Sequence, residues 1–180
     1  MQPRSPSETD TRGFQSVDPW KSKELTYTRR NLPHLQVPGA TYFITFRCNR
    51  GIQLPDQTRD LIMAAIEACN GASIHLDAAV VMPDHVHTIL RLIEPNKLSR
   101  VLQLIKGRSA RQVNQFLEQS HRLKPVPLWM DESFDYIIRS EAEWHDRIEY
   151  IRQNPLRSGL VSSPALYKWL YVRTEFIPSS

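Results

Sequence analysis

Residues 81 to 90 read Val-Met-Pro-Asp-His-Val-His-Thr-Ile-Leu, an apolar, β-branched run that carries two histidines one residue apart. Successive side chains on a strand point to opposite faces, so His85 and His87 share one face. Their Cα atoms are then about 6 to 7 Å apart, from a rise of about 3.3 Å per residue. Two neutral imidazoles at that spacing can grip one divalent cation. The plainer alternative is a pair of histidines that hydrogen-bond within a sheet face.

A second reactive group lies in a helix predicted over Ser140–Gln153. Ser140 and Glu143 have the Ser-x-x-Glu spacing of a capping box, which fixes the start. Trp144, Ile148 and Ile151 define the apolar stripe. Tyr150 falls about 130° from the centre of that stripe, in line with Glu143, Arg147 and Asn154. A tyrosine that serves packing belongs on the stripe, and this one has polar neighbours. Asn154 is four residues beyond Tyr150, and two readings of it stand side by side. An unbroken helix puts both side chains on one face. Alternatively, Pro155 disfavours helical geometry at Asn154, and Asn-Pro opens a new short helix with Asn154 as its cap and Gly159 as its end. The other tyrosines lack a polar stripe in a convincing helix, and Tyr136 is the one backup to Tyr150.

A chain of 180 residues with 41% hydrophobic residues suits one domain with a real core, plus extra segments. No run is long enough to cross a bilayer and the N-terminus has no signal-like stretch, which predicts a cytoplasmic protein. Cys48 and Cys69 lack a CxxC partner and read as buried thiols. The net charge of +4 concentrates between Lys97 and Lys124, where seven basic residues face one acid, Glu118. A solvated helix face normally mixes signs. This one-sign stretch suggests a phosphate backbone as partner, with Lys106, Arg108 and Arg111 as first contacts and Lys97, Arg100 and Arg122 around them.

These groups need a frame. Residues 1–35, with Pro3, Pro6, Pro19 and Pro33 among polar residues, read as a poorly ordered tail, a plain surface segment rather than one whose Arg29 and Arg30 help hold nucleic acid. Thr41–Cys48 alternates as a strand, and Pro55–Asn70 has helical periodicity ended by Gly71. Ile74–Met82 and His85–Ile93 form an antiparallel hairpin across Pro83-Asp84. A long helix follows from Leu98, with Gly107 a weak point, and Val126–Met130 reads as a short edge strand bounded by prolines. The order β-α-β-β-α-β suits an α+β, ferredoxin-like antiparallel sheet with helices on one face, the other face being free to present His85 and His87.

Three segments together resemble the REP-associated tyrosine transposases of the HUH single-strand DNA endonucleases. They are Val81-Met82-Pro83-Asp84-His85-Val86-His87, Lys106-Gly107-Arg108-Ser109-Ala110-Arg111-Gln112-Val113-Asn114, and Tyr150-Ile151-Arg152-Gln153-Asn154-Pro155-Leu156-Arg157-Ser158-Gly159-Leu160-Val161. Residues 38–46 and 129–139 add to the likeness, so it spans residues 36–162, with 163–180 as a C-terminal extension. The resemblance implies the HUH endonuclease fold and Mg²⁺ or Mn²⁺ held by His85, His87 and Asn154. It implies Tyr150 as the nucleophile that cleaves and rejoins single-stranded DNA at hairpin sequences through a 5′-phosphotyrosine. Asp84 departs from the Asn common in the family and adds a carboxylate beside the metal. A monomer is expected, since one chain can complete the site.

Two other classes compete. A non-catalytic nucleic-acid-binding module of ferredoxin-like fold stacks bases on aromatics of its central strands, where this hairpin offers histidines. A two-histidine phosphoesterase wants two separated His-x-Ser/Thr elements, and His34, His75, His121 and His145 are isolated.

Overall fold

The computed structural model describes Val37 and residues 39–173; the predicted tail at 1–35, with Arg29 and Arg30, lies outside the described residues. The elements run β1 (Thr41–Cys48), α1 (Asp56–Glu67), β2 (Ile74–Val81), β3 (His85–Leu92), α2 (Leu98–His121), β4 (Trp129–Ile138), α3 (Glu141–Arg157), a 3₁₀ turn (Pro164–Leu166) and β5 (Leu170–Val172). The strands form one antiparallel sheet in the order β4-β1-β3-β2-β5. This is the α+β, ferredoxin-like antiparallel arrangement that the element order predicts, except that α3 lies on the face expected to be free.

Side-chain alternation divides the sheet. Tyr42, Ile44 and Phe46 of β1 share a face with their β3 partners Leu90, Thr88 and Val86. That face carries α1 and α2: Phe46 packs edge-on against Trp129 at 4.8 Å, and Trp129 Nε1 donates to Ser109 Oγ of α2 at 3.0 Å. Ile62 and Ile66 of α1 and Leu98 and Ile105 of α2 are fully buried in the same core. Each such side chain contributes about 1.5–3 kcal/mol.

The opposite face is not left open. Phe43, Ile89 and Ala78 pair across it, as do Thr45, His87 and Val80, and α3 lies over them. Ile148 and Ile151 of α3 need burial, and the apolar members of this second face supply it. A bulge between Leu76 and Ala78 turns the extra residue, Asp77, towards the helix. Its Oδ2 accepts from Trp144 Nε1 at 2.9 Å, and its Oδ1 pairs with Arg173 Nη2 at 3.3 Å.

Three points that the sequence left open or misplaced are settled. Of the two readings of Asn154 the unbroken helix holds: α3 runs on through Pro155 to Arg157, and Asn154 does not cap a new helix. Pro155 gives up one backbone donor, but both Asn154 and Pro155 are buried, and packing holds the last turn. Gly159, at φ 69°, then ends the helix: its N–H donates to Leu156 and that of Leu160 to Pro155, each at 3.0 Å. The fourth strand is not Val126–Met130 but Trp129–Ile138, because Pro125 and Pro127 precede the ladder. The described part of the C-terminal extension joins the same sheet as β5. Tyr167 donates to Val81 O at 2.8 Å, and Trp169 Nε1 donates to Asp60 Oδ1 at 2.8 Å.

Asp77→Ala would remove the acceptor that Trp144 Nε1 and Arg173 Nη2 share. We expect a loss of about 2 kcal/mol in urea denaturation; an unchanged midpoint would show that α3 is seated by apolar contact alone.

Candidate active site

The β2–β3 turn is held from outside the hairpin. Cys48 N–H donates to Asp84 O at 2.8 Å and Leu54 N–H to Pro83 O at 2.7 Å. His85 follows directly, and its Nδ1–H donates to Asp84 Oδ1 at 2.6 Å. That bond fixes the tautomer and leaves Nε2 with the lone pair. Asp84 is held in turn by Arg47 Nη2 at 3.6 Å. The hydrogen bond from His85 keeps the Asp84 carboxyl below its ordinary range, burial opposing it.

His87 is 1% exposed, and its Nδ1 pairs with Thr45 Oγ1, its cross-strand neighbour, at 2.7 Å. Its Nε2 lies 3.5 Å from the Tyr150 hydroxyl. A phenol there donates to Nε2, so Nδ1–H donates to Thr45. Burial, reinforced by the charges of His85, Arg47 and Arg147, holds this imidazole well below the usual histidine value, so it is neutral near pH 7. The two histidine rings meet edge to face at 4.7 Å. Phe43 stacks on His87 at 5.6 Å and meets the edge of Tyr150 at 5.9 Å.

The structure therefore brings His85, His87 and Tyr150 together, with Asn154 one turn further along α3 and 8% exposed. Tyr136, the alternative tyrosine, spends its hydroxyl on Glu143 Oε1, and that bond pushes its pKa up. Thr45 and Arg47 were missed by motif reading. Cross-strand register was the missing information, because both sit on the neighbouring strand directly opposite the histidines.

The basic stretch is elsewhere. It follows α2, across the sheet from the histidines. Lys97 and Arg122 cap its two ends, about 36 Å apart for 24 residues. Arg100, Arg108 and Arg111 share an outer groove of about 480 Å³ with Leu104 and Gly107. Lys106 is turned away from that groove. Its ammonium donates to Met130 O at 2.7 Å, Asp131 O at 3.0 Å and Ser133 Oγ at 3.4 Å, where the β1–β4 ladder slips register. All three donors are thus engaged, and burial pushes its pKa down.

The family model described as transposase IS200-like matches residues 39–154. The chain belongs to this family. Among curated proteins it is 25% identical over 160 residues to a Haemophilus influenzae protein that bears the provisional name REP-associated tyrosine transposase, covering 78% of this chain and 86% of that one. Among solved structures it is similar, with a TM-score of 0.61 and 23% identity, to a REP-associated tyrosine transposase bound to a REP hairpin, covering 81% of this chain and 82% of that one. The resemblance drawn from the three motifs stands. Among the described residues no helix is long and apolar enough to cross a membrane.

The folded state resists protonation of His87, whereas the unfolded chain takes the proton below about pH 6.5. Stability from this group is thus present above that value and is lost as pH falls through it. Metal-free protein should melt at lower temperature at about pH 5.5 than at about pH 8, and His87→Gln should flatten the fall. An equal slope in the variant would assign the effect to other groups.

Proposed function

We propose that the protein is a metal-dependent single-stranded DNA endonuclease and strand transferase, acting at hairpin sequences with Tyr150 as nucleophile. The observation that carries this reading is the 3.5 Å separation between the Tyr150 hydroxyl and His87 Nε2. It places the only tyrosine of the motif beside the histidine pair.

The donor set fits a divalent cation. Each imidazole has its Nδ1 engaged by a second group, leaving Nε2 as the ligand atom. By the family resemblance, Asn154, one turn beyond Tyr150 on α3, would add an amide oxygen as the third protein ligand. A set of two imidazoles and one amide oxygen leaves positions open, unlike a closed structural site. His85, His87 and Asn154 would hold Mg²⁺ or Mn²⁺, which when bound withdraws charge from the non-bridging oxygens of the phosphate.

Tyr150 Oη forms the new bond to phosphorus and gives up its phenolic proton. The P–O3′ bond breaks, and the departing oxygen is protonated to a free 3′-hydroxyl. The product is a 5′-phosphotyrosine that keeps the diester energy, and attack by a 3′-hydroxyl reverses the step. With His87 holding the cation through Nε2, that lone pair would be committed to the metal rather than to the Tyr150 hydroxyl 3.5 Å away. Thr45 and Asp84 keep both rings aimed throughout. The arginines of α2 lie across the sheet, so in this reading Arg100, Arg108 and Arg111 hold phosphates remote from the reacting one. The DNA-bound state of the solved relative supports a hairpin as partner.

A base-stacking module without catalysis is disfavoured by Phe43. It is the aromatic of central strand β1 on the α3 face, and it is 1% exposed beneath that helix. It has no open surface for a base.

Tyr150→Phe should abolish the covalent protein–DNA complex on denaturing gels and leave DNA affinity nearly unchanged; an adduct that survives excludes this tyrosine. If three α2 arginines contact single-stranded phosphates, affinity should fall roughly 20-fold between about 50 and 200 mM salt. Arg111→Gln should lower the log–log slope by about 0.7. An unchanged slope would remove Arg111 from the contact set.

A further inference from the structure

Arg147 lies three residues before Tyr150, so the two side chains leave α3 on one side. Its guanidinium carbon sits 5.1 Å from the Phe43 ring centre and 5.4 Å from that of Tyr136. Phe43 is the ring that also touches His87 and Tyr150. Ring faces hold a cation without consuming its N–H groups. The carboxylate one turn earlier, Glu143, is already spent: Tyr136 takes Oε1, and the Arg139 N–H donates to Oε2 at 2.8 Å. Arg47, Arg59, Arg152 and Arg173 each meet a carboxylate. Among the described residues Arg147 meets none. A half-buried guanidinium beside the candidate nucleophile, with its fork unspent, is a cation without an anion among the described residues.

We propose that Arg147 binds the non-bridging oxygens of the very linkage that Tyr150 attacks. The planar fork suits two phosphate oxygens at once, and the aromatic support sets its plane before DNA arrives. The charge then meets the negative charge that grows on those oxygens during attack. A packing role alone would be served equally by an apolar chain of the same length. This proposal rests on Tyr150 being the nucleophile, and the test separates the two.

The cleaved linkage is first mapped with wild-type protein, Mn²⁺ and a single-stranded hairpin oligonucleotide, by sequencing the covalent adduct. The oligonucleotide is then made with a methylphosphonate at that linkage, which removes the charge from one non-bridging position. Arg147→Met, checked for an unchanged melting temperature, should form adduct about 100-fold more slowly on the ordinary diester. On the methylphosphonate the variant and wild type should agree within about twofold. Arg147→Lys, which keeps the charge and loses the fork, should recover part of the diester rate. An equal deficit on both linkages, or no deficit on either, overturns the proposal. Absence of any wild-type adduct overturns the nucleophile assignment itself and takes this proposal with it.

Discussion

Strand β3 can bury Val86, Thr88 and Leu90 against the α1–α2 layer only if His85, His87 and Ile89 face the other way. This alternation is the constraint from which the rest follows. The hydrophobic layer claims one side of the sheet, and every reactive group must then be assembled on the second. Helix α3 is there because it has apolar residues of its own to bury, and burying them carries Tyr150 to the imidazoles. Core formation and site assembly are one event in this fold.

The site is also dry where it must be and wet where it must be. His87 sits under α3 and is held neutral by burial, whereas His85, at the hairpin turn, is steadied by a partly exposed carboxylate. Each ring is gripped at Nδ1 by a different chemical group, a hydroxyl for His87 and a carboxylate for His85. A carboxylate partner makes an imidazole a stronger donor than a hydroxyl partner does. The two Nε2 atoms are therefore unequal, although the motif that contains them looks symmetrical.

Local pattern made β1, α1, the β2–β3 hairpin, α2 and the start of α3 legible from residues alone. In each, period and punctuation agreed with tertiary demand. The failures share a cause. At Asn154 and Pro155 a local rule predicted a break, and burial of both side chains overrode it. At Lys106 the charge run suggested an outward contact, but the slipped β1–β4 ladder leaves carbonyls that draw the ammonium inward. Which face α3 would cover, and which residues of β1 would stand opposite the histidines, depend on pairing between distant segments. Thr45 lies in a segment of family likeness and Arg47 just beyond it, but neither has a pattern that announces a partnership with the histidines.

Asp77 gives the fold an unexpected boundary. One carboxylate joins α3 through Trp144 and the end of β5 through Arg173. The family-matched segment stops at Asn154, with both histidines and the tyrosine inside it. An excised piece ending there would keep the Asp77–Trp144 bond but lose β5 and the Arg173 end of the pair. The folded unit is longer than the segment that defines the family.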